Sequence, residues 1–346
     1  ASTAGSVIGI DDVGSAAVGG GDFIFGTTAD ITTNVGTSAD RVTVAATAST
    51  TTGDANATSL LKNNIGISET GDGQIQVGTN GTITANAFNA TNASATTTSG
   101  VADASATIEN ASGIDMFDAA GTEAVLITGQ AATVSSTANT SSTVVASAVT
   151  GTADASSELV ETSGVEIEAV SAGTSGTITG TDTATLSASA TSVDQAATAI
   201  GSNTEADAVE FASFTAGTTG AVTGTTNSTV SASATSADAN AIAEVNPLAA
   251  DATGVTTSGA FTVGTSGAIT GTTSLNQSAT ATTVGNSAGN DIAAAAVGKD
   301  LFNTSGAVVG ETAQTVYGVS NNATIFGTSG TVSGTANSTN TATASA

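Results

Sequence analysis

Small and β-branched residues alternate along most of this chain, as in Ser187-Ala-Ser-Ala-Thr-Ser192, Ser231-Ala-Ser-Ala-Thr-Ser236 and Ser278-Ala-Thr-Ala-Thr-Thr283. Alternation with a period of two marks a strand that buries one face, so these stretches predict β-strands. Short apolar segments recur as well, among them Phe23-Ile-Phe25, Ile75-Gln-Val77, Val125-Leu-Ile127 and Phe261-Thr-Val263. Most are followed by a Gly-Thr phrase such as Gly264-Thr-Ser-Gly267, and Val125-Leu-Ile127 by the degenerate copy Gly129-Gln-Ala-Ala132. The unit therefore predicts strand, glycine turn, strand, with glycine supplying turn geometry and Thr, Val and Ile favouring the pleated flanks.

Anchoring each copy on one position of the phrase gives Ala29, Gly81, Ala132, Gly176, Gly220, Gly267 and Gly330, spaced by 52, 51, 44, 44, 47 and 63 residues. Two residues beyond each anchor stands a β-branched aliphatic: Ile31, Ile83, Val134, Ile178, Val222, Ile269 and Val332. A repeat at such a period dictates architecture before any single residue does. The expected fold is all-β, an elongated β-solenoid-like or sandwich-like array of strand/Gly-turn/strand units, with a seven-bladed β-propeller as the alternative. Residues 1–20 form an N-terminal segment and candidate donor strand, and 21–346 hold about seven β repeats. Among the inserts, Asp291-Ile-Ala-Ala-Ala-Ala-Val297 predicts a short helix capped by Asn290 or Asp291.

Composition sharpens this picture. The chain of 346 residues has 41 glycines but only nine Phe and one Tyr as aromatics, so the core must be thin and built from Val, Ile, Ala and Thr. A thin core leaves each unit weak alone, because its apolar burial does not offset roughly 1–2 kcal/mol of backbone entropy per residue. Stability must come from stacking on neighbours, within the chain or between chains. The net charge of −26, with only Arg41, Lys62 and Lys299 as cations, opposes nucleic-acid binding through phosphate repulsion. Mean hydropathy is +0.22, yet the longest apolar run, near Ile292 to Val297, is far short of the roughly 20 residues a spanning helix needs.

The residue inventory argues against catalysis, since there is no histidine to act as base and no cysteine to act as nucleophile. Calcium is the candidate cofactor, with hard oxygen ligands offered by Asp11, Asp12, Asp22, Asp72 and Asp182, although their spacing matches no calcium-loop motif. Eleven Asn-x-Ser/Thr triplets, at Asn56, Asn80, Asn89, Asn92, Asn110, Asn139, Asn227, Asn276, Asn303, Asn322 and Asn337, are candidate glycosylation acceptors. The start Ala1-Ser-Thr-Ala-Gly5 is similar to a mature end left after export or to the edge of a longer repetitive protein, and the expectation in either case is an extracellular location.

The richness in Thr, Ala, Ser and Gly with scarce lysine resembles repetitive extracellular surface proteins: surface-layer proteins, adhesins and filament subunits. The resemblance implies a secreted, non-enzymatic structural protein that self-assembles into a filament or surface layer. Assembly by β-strand addition would place Val7, Ile8, Ile10 and Val332 at polymer contacts, with copies of the chain as partners. An adhesin or phage-like fibre module binding cell-surface glycans is the alternative.

Overall fold

The computed structural model describes residues 2–4, 7–13, 22–24, 26–70, 74–116, 125–171, 173–215, 218–237, 239–245, 251–283, 292–295, 315–326 and 329–345. The described chain is all-β. Its strands form two sheets, one of fifteen strands and one of eight, and every described pairing between strands is parallel.

The eight-stranded sheet runs in the order Thr331–Ser345, Ala268–Thr283, Ala221–Ser236, Thr177–Ser192, Thr133–Thr150, Thr82–Ser99 and Asp30–Val35. Val42–Thr50 continues the last layer and also pairs with Thr82–Ser99. Apart from Val42–Thr50, each strand starts one residue after a Gly or Ala anchor of the repeated phrase. The turn before it is closed by an i to i+3 hydrogen bond, as from the Gly176 amide to the Gly173 carbonyl at 3.2 Å. The ladder then runs on through the turns, for instance from the Thr219 amide to the Thr174 carbonyl at 2.6 Å.

Register places like on like. Ile31, Ile83, Val134, Ile178, Val222, Ile269 and Val332 form one column across the sheet. The five inner members are buried, whereas Val332 at the edge is 36% exposed. A second column, Ala46, Ala93, Val144, Ala188, Ala232, Ala279 and Ala342, runs parallel to it. Facing that column, the larger sheet stacks Ala57, Ala104, Ala155, Ala199 and Ala243. The interior thus divides into an alanine-rich cluster and a Val/Ile-rich cluster that includes Ile83, Ile114, Ile167 and Phe211. Burying each large aliphatic is worth about 1.5–3 kcal/mol, and the alanines contribute less area but let the sheets lie close.

Along one line where the sheets meet, both carry small residues: Gly66 and Gly113 of the larger sheet face Ala85 and Ser136 of the smaller, Gly164 faces the Thr181 backbone, and Gly180 of the smaller sheet faces Ala208. A Cβ on Gly180 would run into the Ala208 carbonyl and lie 2.5 Å from Val209 Cγ2, so no side chain fits there. Some polar residues that point inward are bonded across the gap: Thr226 Oγ1 donates to the Thr253 carbonyl at 2.6 Å and Asn203 Nδ2 to Ser228 Oγ at 2.8 Å.

Two expectations are overturned. The solenoid-like or sandwich-like array of strand/turn/strand units and the seven-bladed propeller do not describe this chain, because the two strands flanking a Gly-Thr phrase never pair with each other. Val125–Thr128 lies in the fifteen-stranded sheet and Thr133–Thr150 in the eight-stranded one, with seven parallel layers in the latter. The turn carries the chain from sheet to sheet, and each strand pairs with its counterpart one repeat away, since that pairing alone stacks Ile on Ile and Ala on Ala. The helix expected at Asp291–Val297 is also replaced. Ile292–Ala295 is a strand, paired with Ala241–Val245, so the open sheet edge outweighs alanine's helix propensity.

Candidate functional sites: open strand edges and an acidic corner

Two features of the described residues offer chemistry or contact beyond the core. The first is the pair of open edges. Thr331–Ser345 is hydrogen-bonded on one side only, to Ala268–Thr283, and almost all of its residues are exposed on both faces. The same register positions are buried one layer inward, where Ile269, Thr273, Leu275, Ala279 and Ala281 are all at most 1% exposed. At the opposite end, Asp30–Val35 and Val42–Thr50 pair only with Thr82–Ser99. In the larger sheet Val7–Val13 likewise pairs only with Ala55–Thr70.

These strands also place the expected polymer contacts. Val7, Ile8 and Ile10 stand in register with Asn64, Ile65 and Ile67 of their own chain, Ile8 and Ile10 half-buried. Val332 lies on the opposite end, in Thr331–Ser345. Natural proteins blunt exposed edges with lysine, proline or bulges. Thr331–Ser345 and Val42–Thr50 contain no charged residue and no proline, so both edges remain competent to pair.

The second feature is an acidic corner of the larger sheet. Register stacks Asp115, Glu166 and Glu210 on three neighbouring strands, and Glu205, at the start of the strand that carries Glu210, stands opposite Asp251 of the next. Single oxygens of Glu205, Asp207 and Glu210 all lie within 4.8 Å of one another, the only such trio of carboxylates among the described residues. A hydrogen-bonded chain supports the column: Asn110 Nδ2 donates to Asp115 Oδ2 at 3.0 Å, Ser112 Oγ to Asn110 Oδ1 at 3.0 Å, and Ser163 Oγ to Glu166 Oε2 at 3.0 Å. The Thr253 amide donates to Asp207 Oδ1 at 2.8 Å.

Burial and mutual repulsion shape the titration of this corner. Burial, then the charges of Glu205 and Glu161, raise the Glu210 carboxyl to about 7. Burial, then Asp115, Glu161 and Glu210, lift Glu166 well above the usual range, and burial with Glu210 and Glu205 does the same for Asp207. Three hard oxygens at this separation match part of a calcium or magnesium shell, with water completing it.

Of the calcium candidates read from sequence, Asp182 is buried between the sheets and belongs to no group of three converging carboxylates among the described residues. Burial pushes its carboxyl well above the ordinary range. Asp11 and Asp12 lie in the strand Val7–Val13 and Asp22 in Asp22–Ile24, while Asp72 lies outside the described residues. Sequence reasoning missed Glu205, Asp207 and Glu210. The signal was there: the three stand within six residues of one strand, and Glu161 and Glu166 precede Glu205 and Glu210 by the 44-residue repeat that separates Ala132 from Gly176, so in-register stacking adds the charge of Glu166 beside Glu210.

The glycosylation candidates are spread over the surface. Asn56, Asn80, Asn92, Asn227, Asn276 and Asn337 are exposed, and Asn110 and Asn139 are half-buried, with Asn139 Oδ1 accepting from Arg41 at 2.7 Å. Asn89 is buried between the sheets. Asn322 lies in the strand Thr315–Phe326, and Asn303 lies outside the described residues. No helix among the described residues is long and apolar enough to cross a membrane. Comparison with family models, with curated proteins and with solved structures returns no match.

Proposed function

We propose that this chain is an extracellular structural protein whose copies join by β-strand addition into a filament or surface layer. The observation that carries the reading is the pair of proline-free edges at opposite ends of one in-register parallel sheet, Thr331–Ser345 and Val42–Thr50 being uncharged and Asp30–Val35 carrying the single carboxylate Asp30. A parallel ladder has no intrinsic end, because each added strand meets the same hydrogen-bond pattern and the same side-chain columns as the last. An edge at one end and a complementary edge at the other make a head-to-tail contact, which generates an open polymer rather than a closed dimer. The exposed Asn-x-Ser/Thr triplets and the Thr/Ser-rich surface support an extracellular setting.

The net charge of −26 slows approach of copies at low salt. The edge strands themselves carry little of that charge, so screening it with about 0.15 M salt, where the Debye length is about 8 Å, favours assembly. Negative-stain microscopy of the purified chain over a range of protein concentrations tests the reading. Unbranched fibres or sheets that lengthen with concentration and salt are expected, and isolated particles at every concentration would refute it.

A further inference from the structure

We infer that the junction between copies is a half-lap joint with a defined register, in which the next copy's Val7–Val13 covers the exposed inner face of Thr331–Ser345. The inference rests on the assembly reading above and specifies its interface. Within the chain, a strand of the larger sheet lies between two strands of the smaller. The Cβ position of Gly113, for example, meets the Ala85 carbonyl at 3.0 Å on one side and Ser136 Oγ on the other. Val7–Val13 has only half of this setting among the described residues: it packs on Asp30–Val35, whose Thr33 and Val35 lie 3.3 Å from the Gly9 Cβ position, and Asp30–Val35 is the terminal strand of the smaller sheet.

The two ends are therefore complementary. One end presents a small-sheet strand, Thr331–Ser345, whose inward positions 332, 334, 336 and 338 are uncovered. The other presents a larger-sheet strand with one flank unpacked. Bringing a second copy up in parallel orientation fills both deficits at once, as every internal layer is filled. A peptide of foreign sequence supplies the backbone bonds but not the matching columns.

The internal columns set the register. Continuing them by one layer places Thr331 on Asp30, Val332 on Ile31, Ser338 on Val42 and Ala342 on Ala46 of the next copy. In the larger sheet the same step places Val316 on Val7 and Val319 on Ile10 of that copy. Gly334 ends the column Thr33, Ala85, Ser136, Gly180, Gly224 and Gly271, and so meets the strand that carries Gly9. The close approach that forbids a side chain at Gly180 is reproduced there across the joint.

Gly334 is exposed in the single chain, so Gly334→Ile leaves the fold and its melting unchanged while blocking the joint. Its critical concentration for assembly should rise at least about tenfold. Ile31→Cys combined with Val332→Cys reads the register directly, since the chain has no cysteine of its own. Within one molecule the two sites are six layers apart, roughly 29 Å at about 4.8 Å per strand, so only copies in the stated register form the disulfide. Mild oxidation should give a ladder of disulfide-linked oligomers, and Thr33→Cys with Val332→Cys, shifted by two positions, should give far less. If the unaltered chain assembles but Gly334→Ile assembles equally well and the cysteine pair stays monomeric, the joint is wrong and the assembly reading stands. If the unaltered chain never assembles, the assembly reading itself is lost.

Discussion

Neutralising Glu210 should stabilise the fold in neutral and alkaline solution and leave it unchanged in acid. The carboxyl is raised from 4.5 to about 7 by burial and by the charges of Glu205 and Glu161. The folded state therefore binds a proton that the unfolded state releases between these two values. Stability from this group is fully present below about pH 4.5 and is lost as pH rises through about 7. A shift of about 2.5 units at about 1.36 kcal/mol each amounts to about 3 kcal/mol. Glu210→Gln keeps the shape and removes the titration, so it should gain up to about 3 kcal/mol near pH 8 and almost nothing near pH 4.5. Urea unfolding followed by far-ultraviolet circular dichroism at both pH values measures the difference. Glu166, Glu161 and Asp207 shift in the same direction, so the variant retains part of the wild-type pH dependence. Equal curves for the two proteins near pH 8, or a wild type more stable there than in acid, would show that the corner is not desolvated as described. Millimolar calcium that removes the wild-type pH dependence but has no effect on Glu210→Gln would identify Glu205, Asp207 and Glu210 as a cation site.

Other substitutions probe the packing. Gly180→Val should cost more than about 2 kcal/mol, because its side chain meets the Ala208 carbonyl and Val209, while Gly26→Ala, with nothing within 4 Å, should leave the urea midpoint unchanged. Ile178→Ala, in the centre of the buried aliphatic column, should cost about 2–5 kcal/mol, and a cost below about 1 kcal/mol would mean the column is not packed. Asp182→Thr installs the residue that Thr226 and Thr273 hold in the next two layers, where each donates to a carbonyl of the opposite sheet at 2.6 Å. It should raise stability at neutral pH by about 1–3 kcal/mol, and a destabilised variant would show that the buried carboxyl is satisfied where it stands.

Much of the local structure was legible residue by residue. Alternation in Ser187–Ser192 and Ser231–Ser236 predicted strands with one buried face, and in both the alanines Ala188, Ala190, Ala232 and Ala234 point inward. The aliphatic two positions past the five inner anchors is the buried Ile83, Val134, Ile178, Val222 and Ile269, while Ile31 and Val332 on the terminal strands are less covered. Gly-Thr-Ser-Gly is a hydrogen-bonded turn. The acidic corner was legible in two ways, as Glu205, Asp207 and Glu210 standing within six residues of one strand, and through the 44-residue offset joining Glu161 to Glu205 and Glu166 to Glu210, but neither pattern matches a recognisable motif.

What the amino-acid order determined by itself was where strands and turns fall and which side chains face inward, since period-two alternation and turn chemistry are local properties of the chain. What only the tertiary structure decided was the choice of partner. A strand such as Thr177–Ser192 presents the same backbone donors and acceptors to a neighbour across a hairpin as to its counterpart one repeat away. The second pairing prevails because it alone stacks identical columns, closes the glycine-lined gap between the sheets, and forces the carboxylates of successive repeats into contact.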